Sequence, residues 1–185
     1  MSHRRVPWHI GTSLVVGLLL LATSSWLLVA SVHQAAVAGE NARLEAAARL
    51  LSASSLQVLQ SGASLPSLVR GELPAGMRLT VLNPDGSAAA DSAFPVAAVV
   101  NRLKEPEVQQ AIATGTGTGV TYHVEAGKQE RSVCVSMRDS YGTLIGIAVA
   151  SSDASLPWQA ASGTVSWALP LLLGIGVCLL LLSAI

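Results

Sequence analysis

Three observations predict an α+β protein with an antiparallel sheet of about five strands, flanked by two transmembrane helices. Apolar and polar residues alternate in several segments between Met77 and Ser151, which is the period of a strand. A helical stretch separates the first two strands from the last three, an order typical of α+β folds. Apolar residues make up 51% of the 185 and charged residues only 12%, which is too apolar for an ordinary soluble domain.

The N-terminal segment predicts a membrane anchor. Residues 1–9 carry Arg4 and Arg5 and no acid, and residues 10–30 carry no charge. Such a run is long enough to cross a bilayer, and the arginines place the N-terminus in the cytoplasm. The alternative is a signal peptide cleaved after Ala38. The anchor is favoured because the apolar run exceeds the ~7–15 residues of a signal peptide.

Residues 31–63 predict an extracytoplasmic helix, because Ala, Leu, Gln, Glu and Arg predominate there and are good helix formers. Four apolar residues recur at seven-residue intervals: Val37, Leu44, Leu51 and Val58. This stripe suits a two-helix seam across a homodimer. It suits equally well a helix that packs on the sheet of its own subunit, and both interpretations stay open.

Residues 64–155 predict the folded module, which begins with a β-hairpin. Leu79 and Val81 alternate with Thr80, as in a strand with one buried face. The sequence Asn-Pro-Asp-Gly then supplies a fixed φ at Pro84 and a residue free to adopt positive φ at Gly86. The chain is expected to reverse there and to return as a second strand up to Asp91.

The middle of the module predicts a helix over roughly Val96–Ala113. Pro106 is well tolerated in a first helical turn, and Glu105 and Glu107 suit the positive end of a helix dipole. Residues 114–119, Thr-Gly-Thr-Gly-Thr-Gly, lack the Gly-Lys-Ser/Thr ending of a phosphate-binding loop. They are interpreted as a linker between this helix and the next strand.

Three more strands follow as a meander. The first places Val120, Tyr122 and Val124 on one face, with Tyr122 in the core. The second places Val133, Val135 and Met137 on one face, opposite Ser132, Cys134 and Ser136. The third, Leu144–Ala150, is nearly all apolar and is therefore expected at the centre of the sheet, covered on both faces.

The C-terminal segment predicts a second span. Residues 156–164 form a juxtamembrane linker. Just before it, Ser152, Asp153 or Ser155 is expected to cap a helix that tolerates Pro157 in its first turn. Residues 165–185 are uncharged and long enough to cross the bilayer. No Lys or Arg follows them, and we therefore expect the natural product to continue beyond residue 185.

Several pieces together resemble the extracytoplasmic sensor region of phosphate-regulon-type sensor histidine kinases. They are the segment 78–86 with Ala90-Asp91-Ser92, the segment 101–111 with Gly115-Thr116-Gly117, and the segment 142–149. The resemblance covers roughly Met77–Ala150. It implies a PAS-like (single Cache-type) fold and a dimeric receptor. The family's phospho-accepting histidine and nucleotide-binding glycine boxes are not in this sequence, so we expect no catalytic domain in this chain.

No local motif predicts catalysis, a cofactor or a metal. None of His3, His9, His33 and His123 has a Cys, Asp or Glu at metal-ligand spacing in sequence. His123, Lys128 and Arg131 form a polar patch that is either a solvated face or a ligand-binding or pH-sensing site. Cys134 and Cys178 are expected to be small apolar fillers. The net charge of zero gives no reason to expect nucleic acid as a partner.

Two functions remain open from the sequence. In the first, the chain is the input region of a two-component receptor in a bacterial inner membrane, and its homodimeric outer module senses a small solute or an envelope partner. In the second, it is a membrane-tethered structural or assembly module without signalling output. The resemblance favours the first, and no residue names the ligand.

Overall fold

The computed structural model describes residues 8–61, 65–70 and 76–159, with isolated positions at 162, 166, 170, 174 and 176. The chain forms two compact units, one of residues 1–37 with 157–185 and the other of residues 38–156. The predicted second span lies outside the described residues except for four of those isolated positions. It therefore stays a prediction.

One helix, α1, runs from Trp8 to Ser61 over 54 residues. The predicted span and the predicted extracytoplasmic helix are thus parts of a single helix. Within the described residues, α1 is the one helix long and apolar enough to cross a membrane, over Leu19–Val58 at a hydropathy of 1.4.

The module is an α+β fold built on one antiparallel sheet, as predicted. Its strands are β1 (Met77–Leu82), β2 (Ala88–Asp91), β3 (Thr116–His123), β4 (Lys128–Arg138) and β5 (Leu144–Asp153), in the order β2-β1-β5-β4-β3. The other elements are α2 (Leu65–Val69), a 3-10 turn (Val96–Ala98) and α3 (Pro106–Thr114). The predicted central position of β5 is confirmed.

Strands β1 and β2 form the predicted hairpin. The Asn83 N–H donates to the Ser87 carbonyl at 2.8 Å, and Gly86 adopts φ 80°. A Cβ on Gly86 would lie 2.5 Å from the backbone nitrogen of Leu103. The turn therefore needs glycine both for its backbone conformation and for its close contact with the segment before α3.

The helix predicted over Val96–Ala113 is wrong in its first half. Only Val96–Ala98 forms a helical turn before α3 begins at Pro106. The segment between them is held against the hairpin, because the Arg102 N–H donates to the Gly86 carbonyl at 2.9 Å and the Asn101 side chain donates to the Asp85 carbonyl at 2.9 Å. These bonds to the turn replace the bonds that a continuous helix would make.

The predicted glycine-rich linker is also wrong, because Thr116–Gly119 belongs to β3. The two glycines of this strand allow α3 to lie directly on it. A Cβ on Gly117 would collide with the backbone carbonyl of Glu107, and one on Gly119 would lie 2.5 Å from the Glu107 carboxylate. Alternating glycines here serve close packing of a helix on a strand.

The predicted phase of β3 is reversed. Val120, Tyr122 and Val124 are 45%, 59% and 74% exposed, whereas His123 is 3% exposed. The reason is that β3 is an edge strand covered on one face by α3, and the polar residues Thr121 and His123 lie on that covered face. Tyr122 is therefore not a core residue.

Helices cover both faces of the sheet, which corrects the expectation of one buried face for β1. On one face, Leu44, Ala48 and Leu51 of α1 are buried with Val69 of α2. On the other face, Val108 and Ala111 of α3 pack with residues of β1, β4 and β5: Leu82, Cys134, Ile147 and Val149. Leu44 and Leu51 of the stripe on α1 therefore pack on their own subunit and are not available for a dimer seam.

Candidate functional site: a buried charged cluster

The sheet face beneath α3 is apolar at one end and polar at the other. Strand register places Thr80 beside Val149 and Cys134, whereas the neighbouring row holds Arg78, Ser151 and Ser132. Beyond that row lie Glu130 and Thr121, which are register partners. Ionisable side chains from β1–β4, α3 and two loops meet at this end and are called the charged cluster: Arg78, Asp91, Arg102, Glu105, Glu107, His123, Glu125 and Glu130.

Arg78 lies at the centre of the charged cluster. Its Nε and Nη2 lie 2.9 Å and 2.8 Å from Asp91 Oδ2. Thr80 donates to the same oxygen at 2.7 Å, while Asp91 Oδ1 accepts the N–H groups of Ala93 and Phe94 at 2.8 Å and 2.9 Å. The Phe94 ring lies 4.6 Å from the guanidinium carbon. Several hydrogen bonds and the contact with the Phe94 ring therefore fix the positions of both Arg78 and Asp91.

Two further glutamates share the arginines. Arg78 lies 3.1 Å from Glu125 Oε1 and 3.3 Å from Glu130 Oε2, which also accepts the Ser151 hydroxyl at 3.0 Å. Arg102 donates to the same Glu125 oxygen at 3.1 Å. Glu125 thus bridges the first strand and the segment before α3. The link between β5 and the charged cluster is the hydroxyl of Ser151.

Glu105, Glu107 and His123 form the other side of the charged cluster. His123 Nδ1 lies 3.5 Å from Glu105 Oε1, beyond ordinary hydrogen-bond length. Glu107 is 1% exposed and accepts the Thr121 hydroxyl at 2.8 Å. One possible ligand atom from each of the three lies within 4.8 Å of the others.

The charged environment shifts the pKa values of Arg78 and Asp91 in opposite directions. Burial disfavours the charged form of Arg78, but the hydrogen bond to Asp91 and the charges of Asp91 and Glu130 outweigh it, so its pKa is raised. Burial likewise acts to raise the pKa of Asp91. The hydrogen bonds from Arg78 and Thr80 outweigh that effect, and the pKa of Asp91 is lowered. Both groups are charged at neutral pH.

The pKa shifts of Glu105 and His123 favour their neutral forms. Burial, with the charges of Glu107 and Glu125, raises the pKa of Glu105 to about 7. Burial, with the charge of Arg102, lowers the pKa of His123 to about 4. The imidazole of His123 is therefore neutral at pH 7.

Several buried polar atoms of the charged cluster make no hydrogen bond to another protein group in the described part of the chain. They are Nε and Nη1 of Arg102, Oε2 of Glu105 and Nε2 of His123. Among these described side chains, five carboxylates face two guanidinium groups. Buried polar groups are normally satisfied, so this cluster is suited to accept a further polar or charged group.

The fold separates the three residues that the sequence suggested. His123 lies in the charged cluster and is buried, which corrects its interpretation as part of a solvated face. Lys128 lies at the rim, with Nζ 3.3 Å from Asp153 Oδ2, and is half exposed. Arg131 lies on the opposite face of the sheet, where Nη1 is 3.5 Å from Asn41 Oδ1 of α1.

Comparisons with known proteins find no matching family model and no matching curated protein. Several solved structures are similar to this chain, among them the following three. The Escherichia coli DcuS sensor domain is 15% identical at a TM-score of 0.36, with 44% of this chain and 58% of that chain covered. The ligand-binding domain of the Pseudomonas aeruginosa PAO1 amino acid chemoreceptor PctC, in complex with GABA, is 14% identical at a TM-score of 0.48, with 77% and 65% covered. The periplasmic domain of Vibrio cholerae LuxQ is 12% identical at a TM-score of 0.40, with 78% and 70% covered.

This chain therefore spans less than two thirds of the first two of these structures. The similarities identify no ligand for it.

Proposed function

We propose that this chain is the extracytoplasmic input region of a membrane-anchored two-component receptor, with a PAS-like (single Cache-type) module of the phosphate-regulon sensor type. The stimulus acts at the charged cluster. The sequence resemblance between Met77 and Ala150 supports the family, and a helix able to cross a membrane, Leu19–Val58, supports the anchor. In this proposal the module lies outside the inner membrane, and the segment after β5 enters it as a second span.

The observation that carries the proposal is the burial of the charged cluster. Seven of its eight side chains are no more than 6% exposed. Buried ion pairs contribute little net stability, because desolvation offsets the attraction between the charges. An apolar core would hold this sheet at least as well. Strongly shifted ionisable groups collected in one place indicate a functional site.

The route out of the site runs along β5. Ser151, which binds Glu130, is two residues from the end of this central strand. The Asp153 carboxylate then accepts the Ser155 N–H at 2.9 Å, and residues 156–159 are helical. Ser151, which contacts the charged cluster, is therefore close in sequence to the predicted second span, and a change in the cluster has only a short distance to travel along the chain.

A series of alanine insertions tests this route. The chain is joined after Ile185 to a histidine kinase domain with a measurable output, and one to four alanines are inserted between Ala160 and Ala161. A helix turns by about 100° for each residue, so one insertion should change the output and four should largely restore it. Matched insertions after Gly39 report whether α1, at the start of the module, transmits the change as well.

Equal output from all four insertions would contradict signal transmission through this segment. That result would favour a structural or assembly module without signalling output. Homodimerisation is part of the proposal as well, and it must use surfaces other than Leu44 and Leu51, since both are buried within the chain.

A further inference from the structure

We propose that Glu105, Glu107 and His123 bind a divalent first-row transition metal ion, for which Zn²⁺ is the best probe. The role of this ion as the stimulus of a receptor rests on the proposed function above. The existence of the binding site rests only on the geometry of three side chains. Residues 105 and 107 come from the start of α3, and residue 123 ends β3.

The separations fit a metal site. Bonds of about 2.1 Å in a tetrahedral arrangement place two ligand atoms about 3.4 Å apart. His123 Nδ1 and Glu105 Oε1 are 3.5 Å apart, and the three ligand atoms lie within 4.8 Å of one another. A small inward movement of the Glu107 carboxylate therefore completes a three-ligand set.

An unpartnered side chain points to a missing group. The His123 ring is 3% exposed, its Nε2 makes no hydrogen bond, and Glu105 Oε2 is buried without one as well. Neither side chain has another protein group in the described residues that satisfies these atoms. A metal ion held by Glu105 and by Nδ1 of His123 would satisfy the carboxylate, and the other ring nitrogen, Nε2, would carry the N–H that a ligating imidazole normally donates to a buried water or a carbonyl.

The charge balance also favours a cation. Arg102 is the nearest positive group, with Nε 3.9 Å from Glu105 Oε1, but its Nη2 is already paired with Glu125 at 3.1 Å. The second arginine, Arg78, is paired with three other acids. Glu107 has no arginine partner in the ion pairs of the described chain. A divalent ion would offset the excess of buried negative charge.

The surroundings of Glu107 orient its carboxylate and leave it room to move. The Thr121 hydroxyl donates to Oε1 at 2.8 Å, and the missing side chain of Gly119 leaves room for Oε2. Hydrogen bonds to a ligating carboxylate are typical of protein metal sites. Imidazole with two carboxylates favours Zn²⁺ and its transition-metal neighbours, whereas Mg²⁺ and Ca²⁺ prefer oxygen ligands alone.

Metal titration of the full chain in detergent tests the proposal. After treatment with a chelator, the wild-type chain should bind one Zn²⁺ in competition with a chromophoric chelator, and excess Mg²⁺ or Ca²⁺ should not displace it. His123→Gln and Glu107→Gln should each weaken binding at least about 100-fold, and Thr121→Val about tenfold. His33→Gln, which removes a histidine from α1, should leave the affinity unchanged.

X-ray absorption of the wild-type chain with Zn²⁺ provides a readout that does not depend on whether the variants fold. It should show nitrogen and oxygen ligands with a single imidazole. Sulfur ligands, no stoichiometric binding, or equal loss in the His33 and His123 variants would each overturn the site. Such failures leave the receptor proposal standing, because that proposal is tested by the insertion series. Binding that does not alter the output of the kinase fusion would make the metal a structural ion.

Discussion

At the scale of single residues, Arg78 and Asp91 form the central buried ion pair of the module. Both side chains are almost fully buried, at 6% and 0% exposure, and each keeps its charge because the other is present. Breaking such a pair leaves an uncompensated buried charge, which typically costs about 3–5 kcal/mol. The pair therefore links stability to pH.

We expect Asp91→Asn to lower the stability of the chain at pH 7 by about 3 kcal/mol and to alter its acid sensitivity. Because the folded-state pKa of Asp91 is lowered, its contribution is fully present above the unfolded value of about 3.9. It is lost as the pH falls through the lower folded value. The variant, which cannot gain this proton, should lose less stability below about pH 4 than the wild type.

Thermal unfolding in detergent, followed by circular dichroism from pH 7 to pH 2, provides the measurement. Glu45→Gln serves as the control, because Glu45 pairs with Arg49 on the surface of α1 and should change stability by less than about 1 kcal/mol. Parallel stability curves for the wild type and Asp91→Asn would contradict the assigned role of Asp91.

At the scale of elements, the packing of α3 on β3 positions half of the charged cluster. The helix carries Glu107 and lies so close to the strand that Gly117 contacts its backbone. Any side chain at this position would push α3 away from the sheet. The distance between Glu107 and His123 would grow as a result.

Gly117→Ala should therefore destabilise the module by about 3 kcal/mol, near the upper end of overpacking effects. Gly39→Ala is the matched control, since Gly39 lies within α1 and its Cβ would have nothing within 4 Å. That change should be neutral or stabilising by about 0.5–1 kcal/mol. The melting temperatures of both variants, measured side by side, check this prediction. Equal melting temperatures would show that α3 does not need the close approach.

The strands of the sheet were predictable from the sequence to different degrees. The hairpin and β5 follow from local signals, namely the Asn-Pro-Asp-Gly turn and a continuous apolar run. Strand β3 has no such signal, because its glycines look like a linker and its apolar residues lie on the exposed face of an edge strand. The close approach of α3 reverses the expected pattern, and single-strand periodicity does not contain that information.

The charged cluster was hidden for a related reason. Its members come from well-separated parts of the chain, from residue 78 to residue 130, and strand register brings them together. A charged residue at the second position of an apolar strand, Arg78, was the one local signal of a buried ion pair. His123 was found by its residue type alone, and its partners required the fold.

At the scale of the whole molecule, the compact unit extends beyond the predicted module. It includes residues 38–156, because Leu44, Ala48 and Leu51 of α1 form part of its core. The helix that is predicted to leave the membrane thus also contributes to the core of this unit. In the proposed receptor, a change in the sheet acts on α1 at the start of the module and on the segment after β5 at its end.

The most direct test of the proposed function is the output of the kinase fusion in variants of the charged cluster. Glu125→Gln removes the acid shared by Arg78 and Arg102 with little change in size, and Arg49→Gln is a surface control on α1. The Glu125 variant is expected to fold and to insert normally but to hold the kinase in one activity state. The control should keep the wild-type range of activities across the same growth conditions. A folded Glu125→Gln fusion with the full wild-type range would contradict the claim that the charged cluster controls signalling.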